Sequence, residues 1–271
     1  MAKITFSTLA TPAWTFDQIF DRAHAFGYTG VDLRGSSEGI DATTSSAFTS
    51  DLAKTKGKLD TLGIAVPCVC SSVVLNMPDP AKWNAMLDEY ARCLALANAL
   101  GSPFIRIFPG PTPKGFTPEQ TVALAQRHVR QLLKITGDRR VRPAYETHDD
   151  WNTAARALQI LDGTDVDEFP VLWDVRHTWR AGEPLEESLR LFGKRVKHTH
   201  FKDDRRTADG KLEPTLIGQG EVPVANAIAL LRAAGYDGWY CLENEKRWLA
   251  AAPEPETILP QWHAFASECL R

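Results

Sequence analysis

Val196-Lys197-His198-Thr199-His200-Phe201-Lys202-Asp203-Asp204 reads as a strand that turns polar at its C-terminal end. With period-two alternation, His198, His200 and Lys202 share one face, and Lys197, Thr199 and Phe201 share the other. Two imidazoles and an ammonium on one strand face do not build an apolar core. They line the mouth of a polar pocket, and the surrounding chain is read as the scaffold that supplies their partners.

Outward from this stretch, strand and helix signals alternate in both directions. Ile4–Leu9 reads as a strand. Thr15-Phe16-Asp17-Gln18 has capping-box spacing, and Phe16, Ile19, Phe20 and Ala23 follow at helical spacing. Gly30–Arg34 reads as a strand, Phe48 to Leu62 as a helix and Ile64–Ser71 as a strand. A helix striped by Trp83, Met86, Leu87, Tyr90, Leu94 and Ala97 precedes the strand Phe104–Phe108. Thr117-Pro118-Glu119-Gln120 starts a helix with Pro in its first turn. Arg142–Thr147 is a strand and Ala154–Leu161 a helix. Val171–Val175 is a strand, and Leu185, Leu189 and Phe192 mark a helix. After the opening strand come a helix over Val224–Ala234, a strand over Trp239–Asn244 and a closing helix over Thr257–Leu270. Eight such units without a linker predict an α/β fold with parallel strands, a single (β/α)8 TIM barrel over residues 1–271.

The chain has 271 residues, 44% hydrophobic, with a formal net charge of -3. This near balance gives no electrostatic case for a nucleic-acid partner. The first residues run straight into a strand-like segment, the pattern of a chain without a signal peptide. No apolar run reaches the roughly 18 residues of a membrane span. The five cysteines form no Cys-x-x-Cys pair, which points to a reducing cytoplasm rather than a disulfide framework or structural zinc. Cys68 and Cys70 read as small buried strand residues.

In a barrel of this kind, functional groups collect at the C-terminal strand ends. The ends here read Tyr145-Glu146-Thr147-His148, Trp173-Asp174-Val175-Arg176-His177, His198 to Lys202, and Leu242-Glu243-Asn244-Glu245. They hold four of the seven histidines. The parity that turns Tyr145, Trp173, Phe201 and Leu242 outward turns Glu146, Asp174, His200 and Glu243 inward. Three carboxylates and an imidazole at one mouth call for a compensating cation. An oxygen-rich set with one nitrogen suits Mn²⁺, Mg²⁺ or Co²⁺, with Zn²⁺ also compatible. The competing reading is a salt-bridge network with Arg106, Arg176 and Lys202.

Glu146 in Tyr-Glu-Thr-His, Asp174 in Asp-x-x-His, His200 in His-x-Lys-Asp and Glu243 in Leu-Glu-x-Glu resemble the metal site of the xylose isomerase-like TIM-barrel superfamily. The resemblance runs over nearly the whole chain, including the loop Ile217-Gly218-Gln219-Gly220-Glu221-Val222. It implies one divalent metal ion held by Glu146, Asp174, His200 and Glu243, with Glu146 and Glu243 as the catalytic carboxylates. It implies that His177 and Arg206 hold substrate oxygens, Arg205 competing with Arg206. The implied activity is isomerisation or epimerisation of a small sugar, sugar phosphate or keto-sugar through a metal-stabilised enediolate. The alternative is an inosose- or 3-dehydroshikimate-type dehydratase on the same site. The ends of the strands near Cys70 and Phe108 hold no histidine, which speaks against the trinuclear endonuclease IV type.

Other residues have two readings each. His148 contacts substrate or orients Glu146, and His198 supports His200 from deeper on its strand. Lys202 is a rim residue that contacts a substrate anion, or it pairs with Glu243 or Asp203. Glu245 is an alternative ligand by parity. Trp14 walls the pocket or caps and packs. The expected partner is a small-molecule carbohydrate, and tryptophan-bearing loops are compatible with a homodimer.

Overall fold

Alternation of strand and helix holds along the chain in the computed structural model, which describes residues 3–271. Met1 and Ala2, at the start of the N-terminal stretch read above, lie outside the described residues. In chain order the elements are β1 (Ile4–Phe6), α1 (Phe16–Ala25), α2 (Leu52–Leu62), β2 (Cys68–Val74), α3 (Pro80–Leu100), β3 (Phe104–Phe108) and α4 (Pro118–Thr136). They continue with β4 (Arg142–Glu146), α5 (Ala154–Leu161), β5 (Val171–Asp174), α6 (Val175–Arg180), α7 (Leu185–Phe192) and β6 (Val196–Phe201). The last are β7 (Asp204–Arg206), β8 (Leu212–Pro214), α8 (Val224–Ala233), β9 (Trp239–Leu242) and α9 (Pro255–Cys269). Both expected capping boxes form: Thr15 and Thr117 each accept from the backbone N–H three residues on, and Gln18 and Gln120 answer at the cap backbone.

Five local expectations change. The first strand ends at Phe6, not Leu9, because the Ser7 hydroxyl caps a 3₁₀ turn over Thr8–Ala10. Gly30–Arg34 makes only isolated bridges, Gly30 with Ala65 and Ser7 with Asp32. The ladder ends there because the Thr8 hydroxyl takes the backbone N–H groups of Arg34 and Gly35 at 2.9 and 3.0 Å. Phe48 belongs to a 3₁₀ turn ahead of α2, where the Ser45 hydroxyl accepts from Ala47 N. β2 begins at Cys68, not Ile64: Ala65 is already bonded to Thr29, and Pro67 has no N–H to continue the ladder. β5 stops at Asp174, because that side chain accepts from His177 N at 3.1 Å and starts α6.

The chain divides into two compact units, residues up to Pro67 with His198–Arg271, and Cys68–Lys197. In the first, β1 pairs with β9 and β9 with β6, all parallel. Helix α9 is tied to this sheet by Trp262, whose Nε1–H donates to Thr5 O at 3.1 Å, and the Tyr28 hydroxyl donates to Leu259 O at 2.6 Å. The hairpin of β7 and β8 extends from the end of β6, a feature the sequence reading took for loop.

In the second unit the parallel order is β2, β3, β4, β5. Cys68, Cys70, Ala144 and Leu172 form an apolar cluster with Phe104. Cys68 and Cys70 are buried strand residues, as the sequence suggests. Tyr90 of α3 and Thr136 of α4 share a buried hydroxyl contact of 2.5 Å. Among the described residues no helix is long and apolar enough to cross a membrane.

His128 of α4 stacks on Trp83 of α3, with ring centroids 3.7 Å apart and planes 10° from parallel. Its Nδ1 lies 2.7 Å from Leu75 O, so the neutral ring donates there. Burial pulls its pKa below 6.5, partly opposed by the Leu75 carbonyl. A depressed pKa means that the unfolded chain takes up the proton first. The contribution of His128 is complete above about pH 6.5 and is lost as pH falls from there through the folded pKa. Thermal melts of His128→Phe should fall less between pH 7.5 and 5.5 than those of the parent, at a cost of about 1 kcal/mol for the lost hydrogen bond. Identical pH slopes would remove His128 from this role.

Candidate metal centre

Within the second unit, Thr147 fixes the ends of β4 and β5 side by side. Its hydroxyl donates to Asp174 O at 3.1 Å and accepts from Asp174 N at 2.9 Å. Tyr145 and Trp173 point to the helical side, as parity predicts: Tyr145 donates to Trp151 O at 2.8 Å and Trp173 to the Thr178 hydroxyl at 2.9 Å. Glu146 and Asp174 are left on the opposite, inward face, both fully buried. Arg106 on β3 donates to Glu146 Oε2 at 2.8 Å and to Ser71 O at 2.9 Å. Its guanidinium also lies over the Phe108 ring at 3.7 Å. The pair uses one oxygen of Glu146 and supplies the charge that a buried carboxylate needs.

Two sequence-selected histidines gather beside Asp174. His177 Nε2 is 3.7 Å from Asp174 Oδ2, and the His148 and His177 rings lie 4.4 Å apart. His148 packs edge-on against Phe108, and its Nδ1 is 3.1 Å from Asp149 Oδ2. Asp149 is the one non-glycine with positive φ among the described residues, at 51°. Sequence alone gave no sign of that strained position next to His148.

In the first unit, β6 and β9 bring His200 and Glu243 together, with Nδ1 to Oε2 at 3.4 Å. Lys202 is buried, not at a rim. Its ammonium lies 2.5 Å from Glu243 and 2.8 Å from Glu245, and these two carboxylates compensate the burial of its charge. Glu245, read as an alternative ligand, holds Lys202 in this structure. The Asp203 carboxylate, of opposite parity, accepts from Gly218, Gly220 and Val222 at 2.8, 2.9 and 3.1 Å. It thereby fixes the loop Ile217–Val222, and Gly220 has no room for a Cβ against it.

His198 takes the deeper position expected of it and meets Asp32 Oδ2 through Nε2 at 2.5 Å. The same oxygen lies 3.4 Å from His200 Nε2. Asp32 was not among the residues selected from sequence, although its strand-like run, with Val31 and Leu33 on the other face, carries the signal. Burial opposes ionisation of Asp32, but the two imidazoles outweigh it and hold its pKa below the ordinary carboxylate value. Burial likewise works against charge on His200, and Glu243, Cys241 and Asp32 reverse it, leaving its pKa well above the ordinary imidazole value. Ligand atoms of Asp32, His198, His200 and Cys241 all lie within 4.8 Å of one another.

Trp14 and Arg206 stand apart from these groups. Trp14 is buried, with the Arg22 guanidinium of α1 4.6 Å from the centre of its ring. Arg206 sits on β7, donates to Gly210 O at 3.0 Å and lies 3.5 Å from Glu221.

The donor chemistry suits a hard divalent cation. In the second unit Glu146 and Asp174 offer carboxylate oxygens; in the first, Glu243 offers a carboxylate and His200 a nitrogen, and each is buried at a C-terminal strand end.

Comparison with known proteins gives the family. Residues 20–266 match the xylose isomerase-like TIM barrel family. Inosose dehydratase 2 of Bacillus cereus (strain ZK / E33L) is 26% identical over 154 residues, 51% of this chain and 51% of that protein. The chain spans about half the length of the curated relatives it matches. The crystal structure of the IolI protein with a bound zinc atom superposes with a TM-score of 0.80, at 17% identity over 99% of this chain and 96% of that one. D-psicose 3-epimerase from Clostridium cellulolyticum H10 superposes with a TM-score of 0.76, at 17% identity over 98% and 97%. These likenesses carry the fold expected from the sequence, a (β/α)8 barrel, and the chain belongs to the xylose isomerase-like TIM barrel family.

Proposed function

We propose that this protein is a divalent-metal-dependent isomerase or epimerase of a small sugar, sugar phosphate or keto-sugar. One observation carries the reading: each unit offers a buried strand-end carboxylate with its own buried cation, Glu146 with Arg106 and Glu243 with Lys202. Two carboxylates whose charge is locally compensated are two proton carriers. Epimerisation needs such a pair, one to remove a proton from the carbon beside a carbonyl and one to return a proton on the other face. Isomerisation needs only one.

Glu146, Asp174, His200 and Glu243 would hold the cation. Mn²⁺, Mg²⁺ and Co²⁺ suit this set, and the bound zinc of the IolI structure makes Zn²⁺ a member of the panel to test. A cation held there would supply Lewis acidity that makes the C–H on the carbon beside a substrate carbonyl easier to deprotonate. Glu146 or Glu243 accepts that proton on a carboxylate oxygen. Arg106 and Lys202 hold the two carboxylates in place during the transfer, each by a short charge-assisted contact. His177 and His148, packed at a tilt beside Asp174, supply N–H donors to substrate hydroxyls. Arg206 would reach substrate only by leaving Glu221, and Trp14 acts as packing beneath Arg22.

A second reading is a dehydratase on the same residues. The matched inosose dehydratases motivate it. In that reaction the same proton is removed, and the hydroxyl on the next carbon leaves as water after taking a proton from the chain.

Incubation of the metal-loaded protein with a ketose and inosose panel in D₂O tests both. Deuterium should enter at the carbon beside the carbonyl, and EDTA should stop it. An epimer or isomer as product supports the first reading, and an unsaturated carbonyl product supports the second. Absence of exchange across the panel would count against both. Glu146→Gln and Glu243→Gln should each lower turnover by about 10²–10⁴-fold. Metal content measured on each variant separates loss of a base from loss of a ligand, and full turnover in either would remove that residue from the chemistry.

A further inference from the structure

Asp32 has no task in the chemistry proposed above, yet it is held as firmly as any residue that has one. Its backbone N donates to Phe6 O at 2.9 Å, and its carbonyl accepts from Thr8 N at 3.0 Å. The side chain is fully buried. Oδ2 meets Nε2 of His198 at 2.5 Å and Nε2 of His200 at 3.4 Å. Oδ1 is buried with no hydrogen-bond partner among the described residues. A carboxylate kept for packing would be a costly choice at such a place.

The two ring nitrogens of His200 face different groups. Nδ1 lies 3.4 Å from Glu243 Oε2, and Nε2 lies 3.4 Å from Asp32 Oδ2, an electrostatic approach longer than an ordinary hydrogen bond. A neutral imidazole carries one N–H, and only the other nitrogen has a lone pair for a cation. Coordination beside Glu243 requires the lone pair on Nδ1 and therefore the proton on Nε2. The reverse tautomer would aim the Nε2 lone pair at the Asp32 carboxylate, which is repulsive in buried surroundings. His198, bound to the same oxygen, fixes the carboxylate where it can receive the second ring.

We infer that Asp32 is a positioning residue that keeps the proton of His200 on Nε2 and so presents Nδ1 to the divalent cation. This rests on the reading of His200 as a ligand. The nearby alternative is that Asp32 is itself a ligand, in a set with His198, His200 and Cys241. Cys241 is the strand-register partner of His200 on β9.

The test uses the full-length protein, Asp32→Asn and His200→Asn, with folding checked by circular dichroism. Mn²⁺ affinity is read from electron paramagnetic resonance of the free ion. Asp32→Asn should bind Mn²⁺ about 10–100-fold more weakly, in the range found for outer partners of metal-bound histidine. His200→Asn should bind at least as weakly. If Asp32→Asn binds within twofold of the parent while His200→Asn does not, the inference fails and the ligand reading stands. If both bind within twofold, the ligand reading fails with it. A tautomer measurement on the parent protein covers the case in which Asp32→Asn does not fold. With ¹⁵N-histidine and Zn²⁺, His200 should show a protonated Nε2, and a proton on Nδ1 would overturn the inference. With Co²⁺, a thiolate-to-cobalt charge-transfer band that disappears in Cys241→Ser would place the ion on the alternative set and also overturn it.

Discussion

A carboxylate buried at a strand end needs a positive charge beside it, and this requirement shapes both units. Glu146 has Arg106 at 2.8 Å, and Glu243 has Lys202 at 2.5 Å. Such pairs are poor sources of stability, because desolvating both charges consumes most of the attraction between them. Removing one partner is another matter and costs about 3–5 kcal/mol, because a buried charge is left alone. The pairs therefore constrain one another's presence without explaining why any of them is there. The proposed function would give them a reason, because a proton carrier and a metal ligand must be held fixed in a dry site.

Each pair depends in turn on strand register. Arg106 sits opposite Ala144, two residues before Glu146 on the neighbouring strand, so its long side chain runs forward to reach the carboxylate. The small Ala144 leaves room for that path. Lys202 and Asp203 divide the end of β6 between two tasks. Lys202 faces inward to Glu243 and Glu245, while Asp203 faces the other way and gathers three N–H groups of the loop Ile217–Val222. A slip of one residue would exchange these roles, leaving an ammonium against backbone donors and a carboxylate against carboxylates.

Local chemistry was legible in the sequence. Thr15 with Gln18 and Thr117 with Gln120 announce their helices because the cap and its answering residue lie three positions apart. The inward parity of Glu146, Asp174, His200 and Glu243 was legible because each has a bulky apolar neighbour that must face the helices. What depends on distant partners was not. The strand over Gly30–Arg34 shrank to two bridges because the Thr8 hydroxyl intercepts its amides from another part of the chain. For Lys202 the pairing with Glu243 was one of two readings and it forms, whereas its burial, which Glu245 completes from 43 positions away, was not legible. Asp32 was passed over for the same reason, since 166 positions separate it from His198.

The place of Lys202 also bears on the choice between proton exchange and dehydration. A lyase must protonate the departing hydroxyl, and Lys202 is the buried donor nearest Glu243. Giving up that proton would leave Glu243 and Glu245 facing each other across a neutral amine, two carboxylates without compensation in poorly solvated surroundings. Proton exchange makes no such demand, because the ammonium keeps its charge while Glu243 alternates between its two forms. Lys202 then acts as an anchor whose grip weakens when Glu243 is protonated and returns when the proton leaves, and Glu245 holds it throughout. A dehydratase would need its acid elsewhere, with His177 and His148 beside Asp174 the available donors.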